Sequence, residues 1–198
     1  MHLRRAAFVI APLLALVAGS ASAQSALFGL GASGGVVDAA DRQFHFNEFH
    51  RSDVNVWIDY AIEEQVLLRA TVGRMTVAAH NAGQTVKVGT VTYAGPDDLR
   101  DRVEYGLLST SYDFLEGNWT SGVFGGVGVY RIRPGDPGPG LQPVADASET
   151  VWGLHIGLDA RVKVWKQLSV LGRVTVHVPQ TNPHRVLVAA DAGIDYRF

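Results

Sequence analysis

The side chains able to do chemistry are few, and their spacing suits little of it. His155 and Asp159 stand four residues apart, and His177 stands eight residues from Ser169. If the chain there is extended, that second separation is roughly 26 Å, far beyond the reach of a nucleophile and its base. His45, His50, His80 and His184 fall in polar stretches spread over three separate segments, without the spacing of a metal-ligand set. Cysteine is absent, so there is neither thiolate chemistry nor a disulfide framework. The glycines between Gly122 and Gly128 precede no helical pattern, so they do not make a phosphate loop. No catalytic, cofactor-binding or metal-binding residue is assigned, and the chain is expected not to be an enzyme.

What remains is a set of charges embedded in otherwise apolar segments: Asp59, Arg69, Glu104, Asp159, Arg161, Lys163, Arg173, Asp191 and Arg197. The stretch from Trp152 to Val178 shows how they are carried. Leu154, Ile156, Leu158, Ala160, Val162 and Val164 alternate with His155, Gly157, Asp159, Arg161 and Lys163. After Trp165-Lys166-Gln167 the alternation resumes, with Val170, Gly172, Val174, Val176 and Val178 opposed to Ser169, Leu171, Arg173, Thr175 and His177. A period of two places successive side chains on opposite faces of a sheet, so this is a β-hairpin with an apolar face and a charged face. Its strands are long enough to cross a bilayer at a tilt. Apolar-out and polar-in is the pattern of an outer-membrane barrel. A soluble barrel with a wet exterior and an apolar pocket gives the same alternation inverted.

The first residues carry a compartment signal. His2, Arg4 and Arg5 precede an apolar run from Ala6 to Val17, and Ala21-Ser22-Ala23 is a small-residue cleavage site. Residues 1–23 are read as a bacterial secretory signal peptide cleaved after Ala23. That leaves residues 24–198 as one domain. Loss of Arg4 and Arg5 takes the formal net charge from −2 to −4, which argues against nucleic acid as a partner. Beyond the signal no apolar run reaches the length of a spanning helix, and no segment sustains a helical period.

Read in order, the chain yields eight strands: 27–37, 54–61, 66–79, 102–115, 119–132, 149–164, 168–178 and 185–198. Connections after the first, third, fifth and seventh are long or proline-bearing, whereas Glu63-Glu64-Gln65, Glu116-Gly117-Asn118 and Trp165-Lys166-Gln167 are tight turns. Short turns at one end and long loops at the other belong to outer-membrane barrels. Val86 to Tyr93, inside the longest connection, also alternates and is expected to lengthen the hairpin around it. Trp57, Tyr60, Tyr112, Phe114, Trp119, Trp152, Trp165, Tyr196 and Phe198 lie near strand ends, where interfacial girdles form. For Trp57 and Phe124 an ordinary core position is the competing reading.

At the last strand Ile194, Tyr196 and Phe198 alternate. They resemble the C-terminal signal by which the barrel-assembly machinery reads outer-membrane proteins. With the Gly153–Val174 hairpin, the chain resembles the small eight-stranded outer-membrane barrels of the OmpA and OmpX type. The resemblance implies an all-β, eight-stranded antiparallel up-and-down transmembrane barrel in the cell outer membrane. Lipid and lipopolysaccharide would be its surroundings, and the loops 38–53, 80–101 and 133–148 would supply a structural or adhesin-like role toward an extracellular ligand. Some barrels of this size are lipid A deacylases with a His-x-Ser pair on one strand, but His155 is followed by Ile156 and Gly157. Eight strands leave an interior just wide enough for side chains, so the nine charges are expected to form a salt-bridge network that plugs it. A narrow ion pathway and a soluble lipocalin-like carrier of an apolar ligand are the alternatives.

Overall fold

Every long strand alternates, and that fixes which side of the sheet each residue takes. The computed structural model describes residues 28–40, 51–78, 85–88, 91–94, 100–116, 118–134, 148–181 and 184–198. The proposed signal segment, and His45, His50 and His80, lie outside the described residues. Eight strands, β1 (Phe28–Ala39), β2 (Ser52–Ala61), β3 (Val66–Ala78), β6 (Arg100–Glu116), β7 (Trp119–Arg133), β8 (Glu149–Trp165), β9 (Leu168–Pro179) and β10 (Leu187–Arg197), close into one antiparallel barrel. Each pairs with its neighbour in sequence, and β1 pairs with β10 to shut the ring. Closure leaves no unpaired edge, which is what a sheet immersed in lipid requires.

Of the sixteen strand ends, seven lie one or two residues outward of the sequence reading, five coincide with it and four lie inward. Two of the short connections shrink accordingly. Glu116 pairs with Trp119 across β6–β7, and only Lys166 and Gln167 separate β8 from β9. Lys166 takes φ 43°, a left-handed conformation that closes the turn, and the register slips between Lys163 and Trp165 just before it.

One expectation fails. The alternating segment inside the longest connection does not lengthen the β3–β6 hairpin. Its halves, β4 (Thr85–Val88) and β5 (Val91–Ala94), pair with each other as a separate two-stranded sheet. Alternation marks a strand without naming its partner, and the nearest segment is the one reached with least loop-closure entropy.

The outer wall is apolar over most of its height. Leu158 is 64% exposed and Ile156 58%, and Val56, Val72, Leu108, Val127, Val174 and Ile194 are exposed as well. An apolar belt this broad has no place on a water-soluble monomer. Aromatics crowd the short-turn rim: Tyr60, Tyr112, Phe114, Trp119, Trp165, Tyr196 and Phe198 are all exposed there. Phe28–Tyr60, Tyr112–Phe114 and Tyr196–Phe198 pack ring to ring at 5.3, 5.0 and 5.0 Å. Trp152 is exposed near the opposite rim. Trp57 and Phe124 point inward and are buried, the competing reading for these two.

Candidate functional site

The lumen is where the chain concentrates its polar side chains, and its filling changes with height. Nearest the short turns is a chain of ion pairs. Arg69 on β3 donates to both carboxylate oxygens of Asp59 on β2, at 2.7 and 2.9 Å, and to Asp159 on β8 at 3.1 Å. Arg161 on β8 donates to Asp159 at 3.1 Å and to Asp113 on β6 at 2.9 Å. Arg197 on β10 then reaches Asp113 at 2.9 Å and Asp195 at 3.4 Å. The side chains of Arg69, Arg161, Asp59, Asp113 and Asp159 are almost wholly shielded from solvent. Charges so deeply buried persist only when paired and hydrogen-bonded, and these span the barrel between facing walls.

Above that chain sits an aromatic layer. The Arg173 guanidinium lies 4.1 Å from the Trp57 ring centroid and 5.3 Å from that of Phe124, with Asp159 at 4.0 Å and Asn55 Oδ1 at 3.4 Å. These are cation–π distances in a desolvated setting. The room for the rings comes from glycines on facing positions. A Cβ on Gly31 would fall 2.1 Å from the Trp57 ring, and one on Gly157 would fall 2.3 Å from Phe124.

Next come the groups that look most like chemistry. Ser109 Oγ on β6 lies 2.7 Å from His155 Nε2 on β8, a serine–histidine pair that the sequence reading missed because the partners sit 46 residues apart. His155 Nδ1 has no hydrogen-bond partner among the described residues, so no carboxylate orients the ring as a catalytic triad requires. His177 stacks on His155 at 6.2 Å, and the Tyr130 hydroxyl stands 3.2 Å from its Nδ1. Tyr105 donates to Asp53 at 2.8 Å. The void lined by Asp53, Tyr105, Ser109, Arg173 and His177 measures about 10 Å³, room for about one water molecule.

Toward the long connections the interior turns apolar, contrary to the expectation of a polar lumen throughout. Val37, Ala39, Met75, Val77, Val103, Ile132, Leu187 and Ala189 form one buried cluster with Tyr105, Leu107 and Tyr130. Past it, Arg185 donates to Asp101 at 2.9 Å and to the Ala78 carbonyl.

The residues singled out from sequence therefore divide. Asp59, Arg69, Asp159, Arg161, Arg173 and Arg197 come together in the lumen. Asp191 is buried opposite Arg173 across β9–β10, to one side of the chain of pairs. Glu104 is a correction: it points outward, half-exposed, and pairs with Arg133 at 3.1 Å. It shares the parity of Gly106 and Leu108, not of Ser109 and Asp113, so the pleat puts it on the outer wall. Lys163 is a second correction, since it is exposed at the bulge before the β8–β9 turn, beyond the paired charges. Asp113 and Asp195 were missed, although each alternates in phase with lumen residues of its strand. Ile194, Tyr196 and Phe198 all lie on the outer surface at the short-turn end, and the Phe198 N–H donates to the Phe28 carbonyl at 2.8 Å.

No family model and no curated protein sequence matches this chain. Solved structures do. The Neisserial surface protein A barrel matches with a TM-score of 0.60 at 13% identity, covering 88% of this chain and 99% of that one. The N-terminal barrel domain of OprF from Pseudomonas aeruginosa matches at 0.55 and 11%, over 88% and 100%. Ail, the attachment invasion locus protein of Yersinia pestis, matches at 0.52 and 9%, over 86% and 96%. At such identities the likeness establishes the fold, which is that of the eight-stranded outer-membrane barrels.

Proposed function

We propose that this chain is an integral outer-membrane protein, without enzymatic activity, whose work is a structural or adhesin-like interaction through its long connections. The observation that carries this reading is the filled lumen. The ion-paired chain around Arg69, Asp159 and Arg161 and the apolar cluster around Met75 and Val103 occupy successive levels of the barrel. Among the described residues this filling supports a plugged lumen, which leaves the connections at one end as the part of the chain to engage a partner. Ser109 and His155 hold each other by a hydrogen bond inside this filling, where a substrate has no room. The likeness to Ail, a protein named for attachment, supports a surface role.

The test uses cells bearing the full chain and a variant in which residues 80–99 and 135–147 are replaced by short turns. Membranes are run unboiled and boiled on a detergent gel, cells are scored for attachment to immobilised extracellular-matrix protein, and purified barrels are inserted in planar bilayers. A boiling-dependent mobility shift in both chains, attachment by the full chain only, and no steady conductance are expected. Equal attachment by the two would overturn the loop role, and a steady channel would overturn the plug.

A further inference from the structure

The outer wall changes character abruptly near the long-connection rim of β3, β6 and β7. Val72, Gly106, Val129 and Trp152 form one row across β3–β6–β7–β8, and Val72, Val129 and Trp152 are 60%, 54% and 60% exposed. The next row is Arg74–Glu104–Arg131, and the one beyond it Thr76–Arg102–Arg133, with Arg100 further along β6. Arg74, Arg102 and Arg131 are exposed and make no ion pair among the described residues. Glu104 is engaged by Arg133. Asp101 and Glu149 have the opposite parity, on the lumen side of their strands. At the corresponding ends of β8, β9, β10 and β2 the outward residues are Thr150, Val178, Val188 and Ser52, which carry no charge, and on β1 the residue of outward phase is Asp38, an acid paired with Arg51. The cationic rim belongs to one side of the barrel.

Arg102 and Arg133 are direct cross-strand partners, an arrangement in which like charges repel. Arg74 and Arg131 flank Glu104 at roughly two sheet spacings of roughly 4.8 Å, and Arg102 stands one row, roughly 7 Å, further along β6, so their long side chains can converge on one anion that accepts from several of them. The row beneath is apolar and ends in an interfacial tryptophan, so the anion sits at the boundary between hydrocarbon and headgroup.

We infer that the Arg74–Arg102–Arg131 patch is a binding site for the phosphate groups of a lipid in the leaflet that faces the long connections, its acyl chains lying on Val72, Val129 and Trp152. In an outer membrane that leaflet is the external one, and the phosphorylated lipid is lipopolysaccharide. The inference rests on the membrane reading proposed above. It adds to that reading a fixed lipid contact on one wall.

The experiment compares the wild-type protein with Arg74→Gln/Arg102→Gln/Arg131→Gln and with Lys163→Gln/Lys166→Gln, which removes charge at the opposite rim. Each is extracted from outer membranes, and the lipopolysaccharide retained per barrel is measured by mass spectrometry. The temperature of the gel-mobility transition is then recorded with added lipopolysaccharide, with the same lipid stripped of its phosphates, and with inorganic phosphate. The wild type and the lysine variant should retain lipid and gain thermal resistance from the intact lipid alone. The arginine variant should lose roughly tenfold in retained lipid while still shifting on the gel. Equal retention by the arginine variant, or equal protection by dephosphorylated lipid, would overturn the site. Protection by inorganic phosphate alone would assign the patch to a free anion and overturn the lipid assignment. A wild-type protein recovered soluble and unshifted would instead overturn the membrane reading, and the lipid site with it.

Discussion

The ion pair between Arg69 and Asp59 offers the sharpest test of how the lumen is held. Its geometry is bidentate, at 2.7 and 2.9 Å, with the two side chains 1% and 3% exposed. Asp59 makes its hydrogen bonds to Arg69, so Arg69→Met strands a buried carboxylate and should cost about 3–5 kcal/mol. Asp159 is less affected, because Arg161 still donates to both its oxygens at 3.1 Å. Asp59→Leu strands a buried guanidinium that keeps only Asp159, and should cost about 2–4 kcal/mol. The double variant leaves neither charge alone. An apolar pair of similar bulk in place of a buried ion pair is often close to neutral, so the double change should cost about 1–2 kcal/mol, far less than the two single costs together. Urea unfolding of the barrel in lipid vesicles measures all three, followed by gel mobility and by tryptophan fluorescence. The buried Trp57 reports locally, since its ring centroid is 5.4 Å from the Arg69 guanidinium. If the single costs simply add, the two residues act independently and the account of the lumen as a linked set of pairs is wrong.

Two further outcomes follow from the walls. Leu158→Arg places a cation in the middle of the outer belt, where Leu158 is 64% exposed, and should cost about 2–4 kcal/mol in the same vesicle assay; a loss below about 0.5 kcal/mol would show that this face does not meet lipid. Gly31→Ala puts a methyl 2.1 Å from the Trp57 ring and should destabilise by about 1–3 kcal/mol with a shift in tryptophan emission; an unchanged spectrum and midpoint would mean the indole is not held against β1.

The strand count, the alternation of long and short connections and the face of nearly every residue were legible in the sequence, because all three follow from a period of two and the placement of turn residues. Parity says which side of a wall a residue takes. It says nothing of what stands across the lumen. Arg69 and Asp159 are 90 residues apart and meet only because closure brings β3 and β8 to facing positions at one height. Ser109 and His155 escape a strand-by-strand reading for the same reason, since β6 and β8 bring them together across 46 residues. Glu104 was misplaced differently: its charge was weighed above its phase, and the phase was right. The apolar upper lumen was also within reach, since Met75, Val77 and Val103 hold inward phase inside the strands 66–79 and 102–115, but only the charged residues of that face were weighed.

Alternation alone reads the same for a barrel in lipid and for a soluble one turned inside out, so the side on which each set falls decides between them. A soluble carrier would gather Leu154, Ile156 and Leu158 around a cavity and leave Asp159, Arg161 and Arg173 in water, where charges cost nothing to keep. Here the leucines and isoleucine face out, and the aspartate and arginines are buried. In water both placements would be penalised together, an exposed apolar belt on one side and desolvated ions on the other. In lipid the first penalty disappears. The second is offset by the pairs that Arg69, Arg161 and Arg197 make across the lumen. The apolar cluster near the long connections does not revive the carrier reading, because Tyr105 and Tyr130 pack into it. Packing of this kind among the described residues holds the wall in shape, and it favours the rims and the outer face as the surfaces proposed to meet other molecules.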